Sequence, residues 1–319
     1  MSDKLRVRVA RKWLEAEGIC GFELVALDGA ALPAFSAGAH IDVHLPGGTT
    51  RQYSLCNDPQ ETQRYCLGVL RDPASRGGSE AMHGLAEGSE LEISGPKNHF
   101  PLAADAKRSL LLAGGIGITP ILAMAQQLAA SRAPFDMHYC TRSQERTAFV
   151  ERIRGSAFAR DVHFHFDDGG SVQALSLPDL LAEPQPDVHL YVCGPKGFMD
   201  AVLGTARASG WPEEQLHYEF FSAEVVHSAN DASFDVRLAS SGKVIHIAAE
   251  QTVIQALALA GVEVPFSCEQ GVCGTCLTRV IEGVPDHKDL YLTPEEQAAN
   301  DQFTPCCSRS KSPVLVLDL

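Results

Sequence analysis

Between residues 5 and 100 apolar and polar positions alternate in short runs, HIDVHLPGG from 40, RQYSLCND from 51, YCLGVLRD from 65 and LEISGP from 91, each closed by turn residues. A period of two marks strands that bury one face, and a succession of them predicts a small antiparallel barrel or sandwich. From about 109 the pattern changes. SLLLAGGIGITPILAMAQQLAA reads as a buried strand, a glycine turn and a helix, with Pro120 expected at its first position. FDMHYCTRS, VHFHFDD and VHLYVCGP read as further strands, with a helix near 176 to 182. Strands alternating with helices predict a parallel α/β sheet.

Residues 222 to 233, SAEVVHSANDAS, are small and polar without periodicity, which suits a linker. Beyond them FDVRLASSGKVIHIAAE predicts a hairpin across Ser241 and Gly242, and TVIQALALAG a short helix ending at Gly261. A third unit then runs to VLVLDL at the end of the chain. The expected boundaries are an antiparallel domain over 1–103, an α/β domain over 104–224, a linker over 225–233 and a third domain over 234–319.

At 319 residues the chain exceeds what one core usually organises, in keeping with several domains. Its 45% hydrophobic and 21% charged residues are those of a folded, water-soluble protein. No apolar run approaches a membrane span, and the N-terminus has no secretion signal, so a cytoplasmic protein without membrane contact is expected. The net charge of -14 disfavours nucleic acid and leaves room for a partner with a basic face. Of ten cysteines, five are scattered and five lie between 268 and 307. Clustering without a secretion signal argues for metal or redox work over disulfides.

Cys268, Cys273 and Cys276 in CEQGVCGTC, with Cys306 further on, have the spacing of a plant-type ferredoxin loop, in which four thiolates hold a 2Fe-2S cluster. Gly271, Gly274 and Thr275 are small enough for the backbone to wrap the sulfurs and aim amides at them. The alternative is structural zinc, but such sites usually pair two short cysteine knuckles and only one is present. From the residues alone either Cys306 or Cys307 could supply the fourth thiolate.

Arg51, Gln52, Tyr53 and Ser54 stand at a strand end, where a cation, an aromatic ring and a hydroxyl suit a phosphate, a planar isoalloxazine and its polar edge. Ordinary surface and cross-strand packing is the plainer reading of the same residues. Val69, Leu70 and Arg71, then Arg76, Gly77, Gly78 and Ser79 before a helix, add a phosphate cradle, or else a simple turn with a capping serine. Gly114, Gly115 and Gly117, followed by Thr119, lie between strand and helix, where glycines admit a dinucleotide. Cys193, Gly194 and Pro195 end another strand at the carboxyl edge of the sheet, the side on which ligands bind. Cys193 could equally be an inert buried thiol.

With these motifs in order, the chain resembles the ferredoxin-NADP-reductase superfamily along its whole length, specifically the phthalate dioxygenase reductase type that includes vanillate demethylase reductases. The resemblance implies an antiparallel flavin-binding β-barrel, a parallel α/β nucleotide-binding domain and a C-terminal β-grasp ferredoxin domain. It reads RQYS as a flavin motif and RGGS as a phosphate loop, and implies FMN, which the spacing alone does not distinguish from FAD. It places Thr119 and Cys193-Gly194-Pro195 near the nicotinamide and Phe221 against the flavin, with Phe220 as the neighbouring alternative. It favours Cys306 as fourth ligand, in CCSR, and leaves Cys307 as a packing thiol. It implies NADH, while Arg142 just after a strand could meet a ribose 2'-phosphate and keeps NADPH open.

Hydride brings two electrons together and a 2Fe-2S cluster accepts one, so a flavin must stand between them. The resemblance therefore implies a monomeric reductase that feeds a terminal Rieske non-haem iron oxygenase acting on an aromatic compound. An electron-carrier module with structural flavin and nucleotide regions, or a nucleotide-sensing regulator, are the competing classes.

Overall fold

The computed structural model describes residues 4–46, 48–73, 75, 77–170, 173–221 and 231–319. Contacts divide the chain between Phe221 and Ser222 into two compact units. The first holds both an antiparallel and a parallel sheet.

Strands β1 (Leu5–Ala16), β2 (Ile19–Ala26), β3 (Ala39–His44), β4 (Thr50–Ser54), β5 (Tyr65–Leu70), β6 (Glu90–Ile93) and β7 (Lys97–Asn98) form the antiparallel sheet. Its order is β4-β3-β6-β1-β2-β5, with β7 beside β3. The end strands meet at one bridge, Leu55 to Leu67, so the sheet curls as a barrel that is hydrogen-bonded around most of its girth. Alternation decides which side chains fill it: Val7, Val9, Phe22, Leu24, Ile41, Val43, Leu67 and Val69 are buried in one cluster. Helix α1 (Gly78–Gly84) follows β5 and inserts Met82 into that core.

The parallel sheet consists of β8 (Arg108–Gly114), β9 (Phe135–Thr141), β10 (Val162–Phe166), β11 (Val188–Cys193) and β12 (Leu216–Glu219), in the order β10-β9-β8-β11-β12. Helix α2 (Ile118–Ser131) packs against β8, and it begins two residues before Pro120. Pro120 is therefore third in the helix and not first; anywhere in the first turn its missing N–H costs no intrahelical bond. Helix α3 (Val150–Arg154) shares the core of α2 on one face of the sheet, and α4 (Leu177–Leu180) and α5 (Lys196–Ala208) pack on the other. Ile19, Cys56, Cys66 and Phe100 from the barrel side share a core with Leu111, Ile121 and Tyr139, which joins the two sheets.

In the second unit β13 (Phe234–Leu238), β14 (Val244–Ile247), β15 (Thr278–Glu282), β17 (Gln302–Phe303) and β19 (Val314–Leu317) form a mixed sheet, with β16 (Pro285–Asp286) and β18 (Arg309–Ser310) paired apart. β13 and β19 are parallel while β14 and β15 run antiparallel to their neighbours. The hairpin turns at Ser241-Gly242, as its composition predicts, and helix α6 (Val253–Leu259) packs against the sheet. Thr252 and Gln255 close its N-terminus as a capping box. A second capping box, Thr293 with Glu296, starts helix α7 (Pro294–Ala299). Most of the expected linker, 225–230, lies outside the described residues.

Candidate functional site

In the barrel, Arg51 lies across the start of α1: a Cβ added to Gly78 would fall 2.6 Å from Arg51 Cγ and 2.7 Å from Nε. A side chain at position 78 would evict the guanidinium stem. Arg51 donates from Nη1 to Thr50 O at 2.8 Å. Beside it Gly77 adopts φ 90, a region that favours glycine, and leads the chain into α1. Ser79 Oγ accepts from the Asp72 amide at 3.1 Å and donates to Ser75 Oγ at 3.0 Å, so the loop closes on itself around hydroxyls and amides. Arg76 lies outside the described residues. Val69 is buried, whereas Leu70 and Arg71 are exposed, Arg71 3.9 Å from Glu80.

Gln52 turns away from this cradle and donates to Asp42 Oδ1 at 3.0 Å, where Lys97 also reaches Asp42 at 2.7 Å. Tyr53 packs against the barrel core, and burial pushes its phenol up, so it stays protonated. Ser54, nearly enclosed, donates to Glu219 Oε2 at 3.3 Å. Glu219 ends β12 and stands opposite Cys193 at the end of β11. Its side chain keeps 16% of its surface, yet burial pushes its carboxyl up to about 8 against the Ser54 hydrogen bond. His40, opposite Ser54 in the β3–β4 ladder, has Nδ1 4.0 Å from Glu219 Oε1. Burial drives it down to about 4. Neither Glu219 nor His40 stands out in the sequence, because a lone acid after a strand and a lone histidine within one carry no spacing signal. Only the meeting of the two sheets puts them together.

At the carboxyl edge of the parallel sheet the glycines are required by contact. A Cβ on Gly117 would lie 2.2 Å from Cys193 O, and one on Gly194 3.0 Å from Gly114 Cα. The turn after β8 and the turn after β11 therefore touch backbone to backbone, with Gly115 at φ 51. Pro195 stands 3.0 Å from the position a Gly114 Cβ would take. Thr119 is buried, donates to Ile116 O at 3.1 Å, and places its methyl 3.0 Å from the position a Gly68 Cβ would take in β5. Cys193 is fully buried and burial holds its thiol well above the ordinary range, so it is a neutral S–H. Arg142 is exposed at the end of β9. Of the two phenylalanines, Phe220 packs into the core beneath the sheet, and Phe221 is 36% exposed, which leaves Phe221 the free ring.

In the second unit Cys268, Cys273, Cys276 and Cys306 are all buried. Cys268 is held well below the thiol range by hydrogen bonds from Cys273 and then Cys306, while Cys306 is pushed up by Cys268 and then Cys276. Contacts thus link Cys268 to Cys273 and Cys306, and Cys306 to Cys276 and Cys307. Amides converge on them, with Gln270 N donating to Cys268 Sγ at 3.4 Å. Gly271 at φ 71 and Gly274 at φ 67 are packed so closely, under Cys307 Sγ and the Tyr291 ring, that any Cβ would collide. Cys307 Sγ meets Cys306 and lies 3.3 Å from Thr304 Oγ1 and 3.8 Å from Ser308 Oγ. Four adjacent buried thiols, backbone donors and glycines under contact fit a 2Fe-2S cluster.

A family model described as 2Fe-2S iron-sulfur cluster binding domain matches residues 236–311, and the N-terminal domain of a dimethylamine monooxygenase subunit DmmA-like model matches 96–216. A vanillate O-demethylase oxidoreductase of Pseudomonas putida is 59% identical over 96% of this chain and 96% of its own. The phthalate dioxygenase reductase of Burkholderia cepacia is 41% identical over 99% and 97%. The chain belongs to the phthalate dioxygenase reductase family. A solved phthalate dioxygenase reductase, described as a modular structure for electron transfer from pyridine nucleotides to 2Fe-2S, matches with a TM-score of 0.77, 41% identity and coverage of 99% and 98%. As a member of that family the chain is an NADH-dependent flavin and iron-sulfur oxidoreductase, with its cluster in the C-terminal unit. Among the described residues no helix is long and apolar enough to cross a membrane.

Proposed function

We propose that this chain is the reductase component of a Rieske-type aromatic-ring oxygenase system, taking electrons from NADH through FMN to the 2Fe-2S cluster and on to the terminal oxygenase. The observation that carries the reading is one chain holding both a four-thiol loop and a crevice in which Ser54, Glu219 and Cys193 meet between barrel and parallel sheet. Among relatives of nearly full length, one is named a phthalate 4,5-dioxygenase oxygenase reductase subunit and another a vanillate O-demethylase oxidoreductase. FMN is what the likeness to phthalate dioxygenase reductases implies, and the Gly77-Gly78 turn and Ser79 beside Arg51 form a cradle that suits its phosphate.

In this reading Arg51, Arg71, Arg76, Gly77, Gly78 and Ser79 hold the flavin phosphate, and Gln52, Tyr53, Ser54, Val69 and Leu70 frame the ring. Gly114, Gly115, Gly117, Thr119, Cys193, Gly194 and Pro195 admit the nicotinamide, Arg142 the ribose, and Phe221 covers the flavin. The flavin supplies the conversion of one hydride into two single electrons. The protein's part is to orient and to exclude water: the neutral Cys193 thiol and the protonated Glu219 carboxyl put no net charge beside the reacting atoms. Plant-type clusters near about -400 mV can reduce a Rieske centre of higher potential. Three functional domains over 1–103, 104–224 and 234–319, a linker over 225–233, a cytoplasmic location and a monomer complete the proposal.

Extraction with mass spectrometry should return FMN, and stopped-flow mixing with NADH should bleach the flavin before the cluster. Protein without flavin absorbance, or a cluster left oxidised by NADH, overturns the reading. Cytochrome c reduction with NADH separates it from a bare electron carrier or a nucleotide sensor, neither of which turns over.

A further inference from the structure

A hydride that enters a site and leaves as two single electrons leaves one proton behind. The proposed function therefore obliges the crevice to export one proton per NADH. Glu219 keeps only 16% of its side-chain surface, so a proton held there needs a path through the protein.

The barrel supplies a candidate on the other side of the carboxyl. Ser54 and His40 face each other across β3 and β4, and Glu219 reaches both, Oε2 at 3.3 Å from Ser54 Oγ and Oε1 at 4.0 Å from His40 Nδ1. His40 is 4% exposed, and its far nitrogen, Nε2, meets no hydrogen-bond partner. A buried imidazole with one nitrogen towards an acid and the other unpaired is unusual in a purely structural role. Its ring lies 5.4 Å from that of His99, tilted by 35°, and His99 is exposed.

We propose that His40 is a positioning residue that carries protons between Glu219 and solvent by way of His99. The inference rests on the functional reading above. The carboxyl O–H of Glu219 breaks as an N–H forms at His40 Nδ1, and the Nε2 proton leaves towards His99 and water; no electrons move in these steps. One water or a small side-chain shift spans the 4.0 Å gap. The charged groups facing His40 are His99, Asp42 and Lys97 on the barrel side and Glu219 from β12. Burial keeps His40 neutral, held at about 4, and Glu219 protonated, at about 8. The proton thus rests on the acid and passes through the neutral histidine only transiently.

The test is the carboxyl resonance of Glu219 in oxidised holoprotein saturated with NAD+ and labelled with [δ-13C]glutamate, assigned with Glu219→Gln and titrated from pH 6 to 10. With the path intact one resonance should move continuously, because proton exchange is fast. In His40→Phe two resonances, protonated and ionised, should trade intensity at a similar midpoint, and added imidazole should merge them. His99→Gln, a change at an exposed position, should broaden the resonance in the same direction. A single averaged resonance in His40→Phe overturns the proposal. In parallel, with cytochrome c in excess to take both electrons, an indicator dye should report proton release lagging cytochrome c reduction at least tenfold in His40→Phe, and release in step with reduction likewise overturns it. Protein that binds no FMN instead sinks the functional reading, since the resonance test needs no turnover.

Discussion

Ser54 Oγ, at the end of a barrel strand, donates to Glu219 Oε2, at the end of a strand of the parallel sheet, across 3.3 Å. The two residues are 165 positions apart in sequence, and their contact fixes the crevice between the sheets. Because burial lifts the Glu219 carboxyl to about 8, the folded protein binds a proton that the unfolded chain releases near pH 4.5. Stability from this group is therefore full below about 4.5 and is lost as pH rises towards 8. Glu219→Gln should remove the loss: denaturant unfolding from pH 5 to 8.5 should show the variant gaining on the unsubstituted protein by on the order of a few kcal/mol. Equal slopes would mean that Glu219 is ionised in the fold. The same variant should slow flavin reduction by NADH while keeping FMN.

Three histidines of the first unit give the opposite pH dependence. His40, His138 and His217 are each held down to about 4, first by burial. His138 and His217 also stack on neighbours, with His138 Nδ1 3.0 Å from His165 Nε2 and His217 Nε2 2.8 Å from His189 Nδ1. The unfolded chain takes up these protons near pH 6.5 and the fold refuses them until about 4, so stability falls as pH falls through that window. His217→Phe should flatten the acid limb by roughly 1–3 kcal/mol between pH 6.5 and 4. Thermal melts across that range check it, and an unchanged limb would place the acid sensitivity elsewhere.

How far the sequence carried can be judged residue by residue. The strands of the first 100 positions, the glycine turn after β8 and the cysteine loop are local patterns, and local patterns survive into the fold. Helix α7 is also local, since Thr293-Pro294-Glu295-Glu296 is a capping box, but six residues are too few to show a hydrophobic stripe. Other features depend on distant partners. Gly117 is required by Cys193 O, which lies 76 positions away, and Glu219 gains its meaning from Ser54 and His40. Phe220 and Phe221 are equivalent by composition, and only packing separates the buried ring from the free one.

The adjacent thiols of Cys306 and Cys307 are assigned different tasks in the proposed cluster site. Cys306 interacts with Cys268, Cys276 and Cys307, whereas Cys307 Sγ meets Cys306, Thr304 and Ser308 and is pressed against Gly271. Cys307→Ser should keep the visible spectrum of the cluster, since a hydroxyl can take the place of that thiol in its hydrogen bonds. Cys306→Ser should shift or abolish it, because an alkoxide is a poor replacement for a thiolate on iron. Absorbance and electron paramagnetic resonance of the reduced proteins distinguish the two, and the reverse outcome would move the fourth ligand to Cys307.

Asp231 anchors the start of the C-terminal unit. Its Oδ1 meets Lys288 Nζ at 2.5 Å, and Oδ2 lies 4.0 Å from Arg309 Nε, both within a nearly closed pocket. Arg309 is 4% exposed, donates to the carbonyls of Gln251, Ala232 and Ala248, and lies over the Phe234 ring. It follows Cys306, the proposed fourth cluster ligand, by three residues, so the same ion pair that seats the start of this unit also holds the segment of that thiol. Asp231→Ala would remove the acid that half-buried Lys288 and buried Arg309 share, a loss of about 3 kcal/mol. Asp231→Asn keeps the shape and one acceptor and should cost less. Chemical denaturation followed by loss of cluster absorbance should rank the three proteins in that order, with the cluster bleaching at lower denaturant in Asp231→Ala. If the two variants bleach together with the unsubstituted protein, the pair is not what holds the segment, and the carbonyl bonds of Arg309 are sufficient.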